Sequence, residues 1–482
     1  MMIKIQNYID GKLIPPASGE HLENINPALG KVYSYIPDSD TSDVQAAVKA
    51  AQAAFDQWST SSIQERAAVM NKIADLIDRD ANKLAKAESI DNGKPISLAS
   101  KVDIPRASSN LRFYASAIQQ FSSESHQPDD RYLNYTTRKA VGVAGCISPW
   151  NLPLYLFTWK IAPALAAGNT VVAKPSEITP MTAFLFSQLC IEAGLPSGVL
   201  NVVHGLGGKV GQAIAEHPDI PIISFTGGTE TGKQIARTAA PMFKKLSLEL
   251  GGKNPNIIFA DCDFKKALAT TVNSSFSNQG QICLCGSRIF VERPIYQKFL
   301  DEFVFKVKNL NVGDPTSNDT QLGAVVSESH MKKVLSYIDL AREEGGEVVA
   351  GGKRVVLDGD CKDGYFIQPT VITGLSPTCR TNQEEIFGPV VTIMPFDKEE
   401  EVVSYANSTP YGLAATIWSE NLKRAHRVAE LVKSGIIWVN CWLIRDLRTP
   451  FGGMKQSGVG REGGLEALRF FTEAKNICID LK

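Results

Sequence analysis

The sequence predicts an α/β protein with two lobes, each built on a parallel β-sheet. One observation is a strand–helix rhythm from residue 141 to residue 248, and a second is a similar rhythm after residue 252. Strands that alternate with helices of about 10–15 residues are typical of βαβ units in a parallel sheet. The third is the length of 482 residues, which is too great for one compact core. We expect a short join between the lobes at residues 249–252.

The N-terminal part of the chain has shorter elements than the two lobes. Residues 7–12 are predicted to form a hairpin around Asp10-Gly11. Apolar residues then recur at helical spacing across 44–55 and 67–77, and a further helix runs through residue 113. Residues 132–138 alternate and are β-rich, and turn-prone residues precede them. We expect this segment to form an arm that adds strands to another surface.

Periodicity also places the elements of the two lobes. The first lobe is predicted to have strands at 141–148, 170–173, 199–203, 222–225 and 245–248, with helices at 154–167, 182–193, 208–216 and 230–239. The second lobe is predicted to have strands at 256–259, 288–291, 366–371, 390–395, 414–418 and 436–439, with helices at 264–275, 296–310, 328–344, 399–406 and 422–432.

Composition excludes several classes of protein. A net charge of -1 gives no basic footprint for nucleic acid and no polybasic attraction to a membrane. The N-terminus lacks the apolar core of a signal peptide, and the long apolar run at 152–168 is interrupted by Pro153, Lys160 and Pro163. Nine scattered cysteines are an odd count and do not form a secreted disulfide framework. We therefore expect a cytoplasmic protein that binds neither nucleic acid nor a membrane.

Two glycine-rich segments follow predicted strands. The segment from Gly205 to Gly211 resembles a dinucleotide fingerprint with one residue too many before its last glycine. The segment from Gly227 to Gln234 resembles a P-loop, but Gln234 stands where a Mg²⁺-binding Ser or Thr is required, which argues against an NTPase. Glycines at a helix N-terminus let the backbone approach a phosphate. A simple tight turn is the alternative for either segment.

Charged residues follow another strand of the first lobe. Lys174 and Glu177 come directly after the strand at 170–173, and strand ends of this kind line the ligand crevice of open α/β sheets. A glutamate there accepts hydrogen bonds from ribose hydroxyls and repels a 2′-phosphate, so it favours NAD over NADP. A charged helix entry is the alternative.

Three further residue types are suited to acyl chemistry. Glu249 lies in an apolar run, where burial raises a carboxyl pKa toward the range of a general base, although a strand-end Glu facing water is the alternative. Asn151 has an amide suited to an oxyanion, although a turn-forming Asn beside Pro is common. Cys283 and Cys285 have no His or second Cys pair nearby, so zinc is not expected. For a single cysteine, inert packing remains the favoured interpretation.

Taken together, these residues resemble the aldehyde dehydrogenase superfamily. The motifs occur in the order of that family and cover almost the whole chain. They are Pro149-Trp150-Asn151, Lys174-Pro175-Ser176-Glu177, Phe225-Thr226-Gly227, Leu248-Glu249-Leu250-Gly251-Gly252-Lys253, Gly280-Gln281-Ile282-Cys283, Glu385-Ile386-Phe387-Gly388-Pro389 and Pro450-Phe451-Gly452-Gly453. The resemblance implies two Rossmann-like α/β lobes and a small β arm. It places an NAD-binding domain at 1–120 and 141–250, a catalytic domain at 251–450 and an oligomerisation arm at 121–140 and 466–482, with a strand at 470–481.

The resemblance also implies roles for individual residues. Cys283 resembles the nucleophile and Glu249 the base, while Asn151 and the backbone N–H of Cys283 resemble an oxyanion hole. Glu462 resembles a second carboxylate assigned to proton relay. Gly228 departs from the pattern, because many members have Ser beside the pyrophosphate.

The cofactor implied by the resemblance is NAD, and no metal is expected. Lys174 and Glu177 resemble the adenosine-ribose contacts, Glu385 the nicotinamide-ribose contact and Phe387 the residue beside the nicotinamide. The full predicted set is Ser148, Trp150, Lys174, Ser176, Glu177, Gly207, Gly211, Phe225, Thr226, Gly227, Thr231, Glu385 and Phe387.

Within the superfamily, the chain is similar to the 2-aminomuconate and 2-hydroxymuconate semialdehyde dehydrogenases. The similarity rests on residues 103–106, 148–153 and 442–447, which include Arg106 and Arg445. In that group these arginines are linked to the substrate carboxylate, which a guanidinium binds through two hydrogen bonds. We expect a small aldehyde substrate with a carboxylate and a homodimer or homotetramer. A broad-specificity or retinal-type aldehyde dehydrogenase, a P-loop NTPase and a noncatalytic crystallin-like relative are the alternatives.

Overall fold

Two open β-sheets carry the fold of the computed structural model, which describes residues 2–482. The strands are β1 (Ile3–Lys4), β2 (Asn7–Ile9), β3 (Lys12–Ile14), β4 (His21–Asn26), β5 (Lys31–Pro37), β6 (Ser125–His126), β7 (Tyr132–Ala140), β8 (Val143–Ile147), β9 (Thr170–Lys174), β10 (Leu200–Val202), β11 (Ile222–Thr226), β12 (Lys245–Glu249), β13 (Pro255–Ile258), β14 (Arg288–Glu292), β15 (Glu347–Ala350), β16 (Arg354–Val355), β17 (Phe366–Ile367), β18 (Thr370–Thr373), β19 (Val390–Phe396), β20 (Tyr411–Gly412), β21 (Ala414–Trp418), β22 (Ile436–Val439), β23 (Met454–Lys455), β24 (Gly458–Val459) and β25 (Thr472–Asp480).

The α-helices cover both faces of the sheets and fill the joins between them. They are α1 (Thr41–Thr60), α2 (Ile63–Arg79), α3 (Ala81–Asn92), α4 (Ile96–Leu98), α5 (Ile104–Ala117), α6 (Pro153–Ala166), α7 (Met181–Ala193), α8 (Gln212–Glu216), α9 (Thr229–Ala239), α10 (Phe264–Phe276), α11 (Arg293–Lys308), α12 (Glu328–Glu343), α13 (Arg380–Gln383), α14 (Glu399–Asn407), α15 (Leu422–Leu431) and α16 (Gly464–Phe470).

The first sheet has eight strands in the order β24-β12-β11-β8-β9-β10-β2-β3. The five central strands, β12 to β10, are parallel, and the β2–β3 hairpin and β24 close its edges in antiparallel pairing. Strands β8 and β9 are buried along their whole length, as is usual where helices cover both faces of a parallel sheet. The predicted α/β class and the parallel sheet of the first lobe are confirmed.

The strand order of this sheet creates one crevice. From β8 the chain moves outward through β9 and β10, and it then returns to build β11 and β12 on the other side of β8. The carboxyl ends of β8 and β11 therefore flank a topological switch point, where ligands of open α/β sheets bind. The polar motifs that follow β8, β9, β11 and β12 lie at this edge.

The second sheet has seven strands in the order β15-β18-β19-β14-β13-β21-β22. Six strands are parallel, and β15 pairs antiparallel to β18. The single strand predicted at 366–371 is wrong. Pro369, which has no N–H for a ladder, separates β17, which pairs with β16, from β18, which belongs to the main sheet.

The chain has two π-helical turns that periodicity does not reveal. The helix predicted at 208–216 is a π-turn, Gly207–Gly211, followed by α8. A second π-turn, Ala99–Asp103, joins α4 to α5 in one continuous helical segment. Such turns are frequent at functional sites because they redirect side chains within a helix.

A three-stranded sheet projects from the two lobes in the order β25-β7-β6. Strands β7 and β25 pair antiparallel over nine residues, from Thr472 opposite Ala140 to Asp480 opposite Tyr132. The strands predicted at 132–138 and 470–481 are therefore present. The N-terminal sheet of β1, β5 and β4 was not predicted, because its strands carry mixed polar residues.

Candidate active site

Cys283 is presented by a turn with unusual backbone geometry. Helix α10 ends at Phe276, and the following residues Asn278, Gln279 and Gly280 all have positive φ, at 52°, 56° and 70°. A Cβ on Gly280 would lie 2.1 Å from the carbonyl oxygen of Gly388, so only glycine fits there. Consecutive left-handed residues are costly and persist only where surrounding contacts hold them.

Long-range hydrogen bonds hold this turn. The Gln279 side chain donates to the Ala324 carbonyl at 2.8 Å, and the Gln281 side chain accepts from the Val326 N–H at 3.0 Å. The Asn254 amide donates to the Cys283 carbonyl at 2.7 Å. The turn that carries the thiol is thus held by residues from two other parts of the chain.

Two cavities meet at the Cys283 side chain. The larger has a volume of about 1140 Å³ and is also lined by Glu249, Glu462, Arg106 and Arg445. The smaller has a volume of about 260 Å³ and opens at the switch-point edge of the first sheet. A group bound in either cavity can therefore reach the same sulfur.

The Cys283 thiol is neutral in this environment. Burial raises the pKa of the thiol well above its usual range, and the nearby carboxylates Glu385 and Glu249 raise it further. The Arg445 charge opposes this shift but does not cancel it. Because the thiolate is the nucleophilic form, attack by Cys283 requires a base that removes its proton.

Glu249 is such a base by position and environment. It is the last residue of β12, it is 3% exposed, and it lines the same cavity as Cys283. Burial raises the pKa of the Glu249 carboxyl well above its ordinary value, and the negative charge of Glu462 raises it further. Within residues 2–482 neither carboxylate oxygen has a hydrogen-bond partner, so both are free to accept a proton.

Glu462 has its own partners on the far side of the cavity. Its carboxylate accepts from the Lys160 ammonium at 2.8 Å and from the Ser224 hydroxyl at 3.1 Å. Lys160 is 1% exposed within the apolar helix α6, where an unpaired ammonium is costly. The buried pair places one compensated carboxylate beside the uncompensated Glu249.

Asn151 lies beside the nucleophile turn. It is 3% exposed, and its side-chain N–H₂ donates one hydrogen bond to the Gln281 carbonyl at 3.0 Å, which leaves the second N–H available. Within residues 2–482 the backbone N–H of Cys283 has no acceptor. Asn151 and Cys283 also line the smaller cavity together, so both donors lie next to the sulfur.

At the end of β9, Lys174 and Glu177 form one hydrogen-bonded unit. The Lys174 ammonium donates to Glu177 at 2.9 Å, and Glu177 also accepts from the Gly207 N–H at 3.3 Å. Although burial acts to raise it, the pKa of Glu177 is held below its ordinary value by Lys174 and these hydrogen bonds. A Cβ on Gly211 would lie 3.7 Å from the Lys174 side chain. Glu177 is therefore a fixed, ionised acceptor at the crevice.

The motif after β11 offers open backbone at the N-terminus of α9. A Cβ on Gly227 would lie 2.4 Å from the ring of the buried Phe225, whereas Gly228 faces open space. Thr231 is exposed on the first turn of α9. The absence of a side chain at Gly228 leaves the helix N-terminus open to a phosphate.

Three polar side chains near this crevice have no partner within residues 2–482. They are the hydroxyls of Ser148, Thr226 and Thr229. Ser176, by contrast, uses its hydroxyl to accept from the Ile178 N–H at 3.2 Å and so caps its own turn. Unpaired buried hydroxyls at a switch point, together with the ionised Glu177, fit the polar groups of a dinucleotide such as NAD.

Aromatic rings close the smaller cavity. The Trp150 ring packs edge-on against Phe387 and His330, with centroid distances of 5.3 Å and 5.1 Å. Burial lowers the pKa of His330 to about 4, so the ring is neutral and its Nε2–H donates to the Phe387 carbonyl at 2.7 Å. Glu385 accepts from the Gly252 N–H at 2.8 Å, and burial raises the pKa of its carboxyl.

Arg106 and Arg445 line the larger cavity without a carboxylate partner within residues 2–482. Arg445 lies 4.0 Å from the ring centroid of Phe451 and 5.3 Å from that of Trp159. Arg106 lies 5.7 Å from the ring centroid of Tyr155. Aromatic faces thus hold both guanidinium groups by cation–π contacts and leave their N–H groups free for an anion.

Three residues that lie beside the site were not predicted from the sequence. Lys160 was read only as an interruption of an apolar run, His330 carried no motif, and Lys333 lies beside Glu385, whose carbonyl it contacts at 3.2 Å. Lys160 meets Glu462 across 302 positions of sequence. The one available signal was that Lys160 lies inside an apolar helix, because a charged residue in such a place needs a buried partner.

Comparisons with known proteins agree with this geometry. Residues 14–477 match the sequence profile of the aldehyde dehydrogenase family. The 2-aminomuconic semialdehyde dehydrogenase of Danio rerio is 52% identical over 98% of this chain and 98% of its own. The 2-hydroxymuconic semialdehyde dehydrogenase of Pseudomonas sp. (strain CF600) is 47% identical over 100% of both chains.

A solved structure has the same fold. The NAD⁺ complex of an aldehyde dehydrogenase from Bacillus cereus superposes with a TM-score of 0.97 at 41% identity, covering 99% of this chain and 97% of that chain. None of the helices within residues 2–482 combines the length and apolar character needed to cross a bilayer.

Proposed function

The chain belongs to the aldehyde dehydrogenase family, and we propose that its substrate is 2-aminomuconate or 2-hydroxymuconate 6-semialdehyde. The product is the corresponding dicarboxylate, and NAD is the electron acceptor. The observation that carries the choice of substrate is the pair Arg106 and Arg445, two cations without carboxylate partners in the cavity of Cys283. A substrate carboxylate supplies the missing anion.

The reaction begins with the transfer of the Cys283 proton. Glu249 accepts this proton, because its carboxylate is unpaired and its pKa is raised by burial. The thiolate then attacks the aldehyde carbon, the C–S bond forms, and the carbonyl oxygen takes the negative charge. The free N–H of Asn151 and the backbone N–H of Cys283 donate to that oxyanion.

Glu249 also acts in the second half of the reaction. NAD, when bound, would supply the hydride acceptor that takes the thiohemiacetal carbon of Cys283 to the oxidation level of a thioester. Once the Cys283 proton has been passed on, Glu249 takes a proton from a water, and the resulting hydroxide attacks the thioester carbon. The C–S bond then breaks, the carboxylic acid leaves, and Glu249 returns its proton to the Cys283 sulfur. Glu462, paired to Lys160, lies in the same cavity and accepts protons passed on from Glu249.

The residues that hold NAD are those at the switch-point edge. Glu177 and Lys174 would bind the adenosine ribose, Gly227 and the α9 N-terminus would bind the pyrophosphate, and Glu385 would bind the nicotinamide ribose. We propose that the remaining predicted contacts complete this cofactor site. These are Ser148, Trp150, Ser176, Gly207, Gly211, Phe225, Thr226, Thr231 and Phe387.

We assign residues 1–120 and 141–250 to an NAD-binding domain, 251–450 to a catalytic domain, and 121–140 with 466–482 to an oligomerisation arm. One face of the arm presents apolar residues, because Ile477 lies opposite Tyr135 and Ile479 opposite Leu133. Ile479 is 39% exposed. A second copy of the chain covers this face in a homodimer or homotetramer.

We place the enzyme in the cytoplasm. All nine cysteines are free thiols, and they are scattered through both lobes and the arm. A reducing compartment keeps such thiols, including Cys283, in the active form.

A substrate panel tests the proposal. Initial rates of NADH formation are measured with both muconic semialdehydes and with a neutral aldehyde of similar length, using NAD and NADP. We expect the highest kcat/KM with a semialdehyde and NAD. Arg445→Ala should raise KM for the semialdehyde by about tenfold, the value of one charge-assisted contact, and leave KM for the neutral aldehyde unchanged. An unchanged KM for the semialdehyde contradicts the carboxylate anchor.

The second candidate is a broad-specificity or retinal-type aldehyde dehydrogenase. The aromatic and apolar residues of the larger cavity, which include Phe113, Tyr155 and Phe451, favour it. Equal or better turnover of the neutral aldehyde in the same panel would select this candidate and leave the family chemistry of Cys283 unchanged.

A further inference from the structure

The main-chain carbonyl of Asn151 is held by side chains from two distant segments. Asn278, in the nucleophile turn, donates to it at 2.9 Å, and the ammonium of Lys94 donates to it at 3.0 Å. Asn92 donates to the preceding Trp150 carbonyl at 2.8 Å. These contacts fix the backbone from which the Asn151 side chain extends, and the Gln281 carbonyl holds the amide itself at 3.0 Å.

Lys94 also meets a buried carboxylate. Its ammonium is paired with Asp103, and both side chains are fully shielded from solvent. Glu88 lies close to both and accepts from the Leu154 N–H at the start of α6. Because breaking a buried pair leaves an uncompensated charge, Lys94 and Asp103 hold each other in one geometry.

Asp103 belongs to the segment that carries Arg106. It is the last residue of the π-turn Ala99–Asp103, and Arg106 follows in the first turn of α5. The π-turn places Ala99 and Asp103 in the interior and leaves Lys101 exposed. The Lys94–Asp103 pair therefore spans from the carbonyl of Asn151 to the element that holds Arg106.

We propose that Lys94 is a positioning residue, which sets the Asn151 amide toward the oxyanion and, through Asp103, fixes Arg106 relative to Cys283. The inference rests on the proposed function, since it assigns Asn151 and Arg106 the roles given above. The proposal rests on the Lys94 ammonium, which contacts both the Asn151 carbonyl and Asp103. The first contact bears on Asn151, which would bind the oxyanion, and the second bears on Arg106, which would bind the substrate carboxylate. Lys94 itself touches neither substrate nor cofactor in this arrangement.

A double-mutant cycle tests the link to Asn151. Lys94→Met should lower kcat by about 10-fold to 100-fold, somewhat less than the loss of one oxyanion donor. In an Asn151→Ala background the same substitution should change kcat by less than about twofold, because the amide that Lys94 positions is already gone. A purely structural role predicts equal losses in both backgrounds, and that result would overturn the proposal.

A second measurement tests the link to Arg106. Asp103→Asn should raise KM for the muconic semialdehyde about fivefold, as expected when one charged contact is misplaced, with KM for a neutral aldehyde unchanged. Equal changes for both substrates, or none, would overturn this part. Should Lys94→Met fail to fold, Asp103→Asn is carried through the same cycle with Asn151→Ala, with the same two outcomes.

Arg66→Met is the matched control. Arg66 is 6% exposed, and its guanidinium donates to the carbonyls of Ala166 and Ser61, away from the cavity. It should lower the melting temperature like Lys94→Met but leave kcat and KM unchanged. Cys283→Ala separates the two proposals: if that variant retains activity the proposed function itself fails, whereas additive effects of Lys94 and Asn151 contradict only this inference.

Discussion

At the residue scale, Cys283 and Cys285 differ in what their side chains face. Cys283 borders both cavities, whereas Cys285 is 6% exposed, packs in the main core cluster and directs its sulfur to the Ser277 carbonyl at 3.9 Å. Burial raises the pKa of both thiols, so acidity does not distinguish them. The two thiols differ instead in their access to a substrate and to a base.

We therefore expect Cys283→Ala to lower the rate of NADH formation by about 10³-fold or more, as for other covalent nucleophiles. Cys285→Ala removes only a buried sulfur and should keep kcat within about threefold, with a stability loss of about 1 kcal/mol. Steady-state kinetics of both variants, with NAD binding as a check on folding, are the measurement. Loss of activity in Cys285→Ala alone would reverse the assignment.

The environment of Glu249 affects both the activity and the stability of the enzyme. Its folded-state pKa is raised, so the folded chain binds this proton more tightly than the unfolded chain. The free energy of unfolding then falls as pH rises above the ordinary carboxyl pKa, and the loss is complete above the raised folded pKa. The raised pKa of Glu249 therefore makes the folded chain less stable, relative to the unfolded chain, as pH rises.

Glu249→Gln should lower kcat about 10²-fold to 10⁴-fold, the usual contribution of a general base. The stability of the variant relative to wild type should also rise with pH, up to a gain at pH 8, because glutamine cannot ionise in this buried position. The gain should shrink toward pH 4. Urea unfolding at several pH values measures it, and a variant that is less stable than wild type at pH 8 would contradict the environment described for Glu249.

The residues by themselves left alternatives open for Cys283, Glu249 and Asn151, and their roles were predicted only from the resemblance of their motifs to the aldehyde dehydrogenases. The sequence missed Lys94, Lys160 and His330 because their partners lie far away in sequence. Lys160 meets Glu462 and Lys94 meets Asn151 only after the lobes have folded. The periodicity of a local segment does not predict such long-range pairs.

At the element scale, the nucleophile turn depends on one glycine. Gly280 has φ of 70° and no room for a Cβ beside Gly388, while Gly194, the C-cap of α7, has φ of 79° with open space around it. The two positions share the backbone strain but differ in steric freedom.

Gly194→Ala should cost about 1 kcal/mol, the penalty of a left-handed alanine. Gly280→Ala should cost several times more, because its Cβ meets backbone rather than a movable side chain. It should also lower kcat, since the turn that holds Cys283 must shift. Melting temperatures and thiol titration of the two variants give the comparison, and equal losses would mean that the turn is less constrained than described.

Some of the helices and strands were predictable from the sequence, and others were not. Strands β8, β9 and β11 are mostly apolar, and their helices have regular spacing, so the predicted limits agree with the observed limits within about two residues. The failures have local causes. Pro369 divides β17 from β18, and the π-turns at 99–103 and 207–211 change the helical period without a distinctive residue.

At the scale of the whole molecule, the arm of β6, β7 and β25 has an exposed apolar surface. Strands β7 and β25 expose an apolar face with Leu133, Tyr135, Ile477 and Ile479, while Asn476 and Thr136 lie on the opposite face. The apolar side chains of the two lobes are buried in core clusters, one of which contains residues of both lobes. An apolar face on a projecting three-stranded sheet is stabilised when a second copy covers it.

Ile479→Lys should therefore shift the enzyme toward monomers, because a charge on this face must lose its water when a second copy packs there. Asn476→Lys, on the opposite face of the same strand, is the matched control and should keep the assembled state. Light scattering after size exclusion, over a hundredfold range of protein concentration, measures the masses. We expect the Ile479→Lys dissociation constant to rise at least about tenfold, equal to about 1.4 kcal/mol. If both variants keep the wild-type mass, this face of the arm is not the contact between copies.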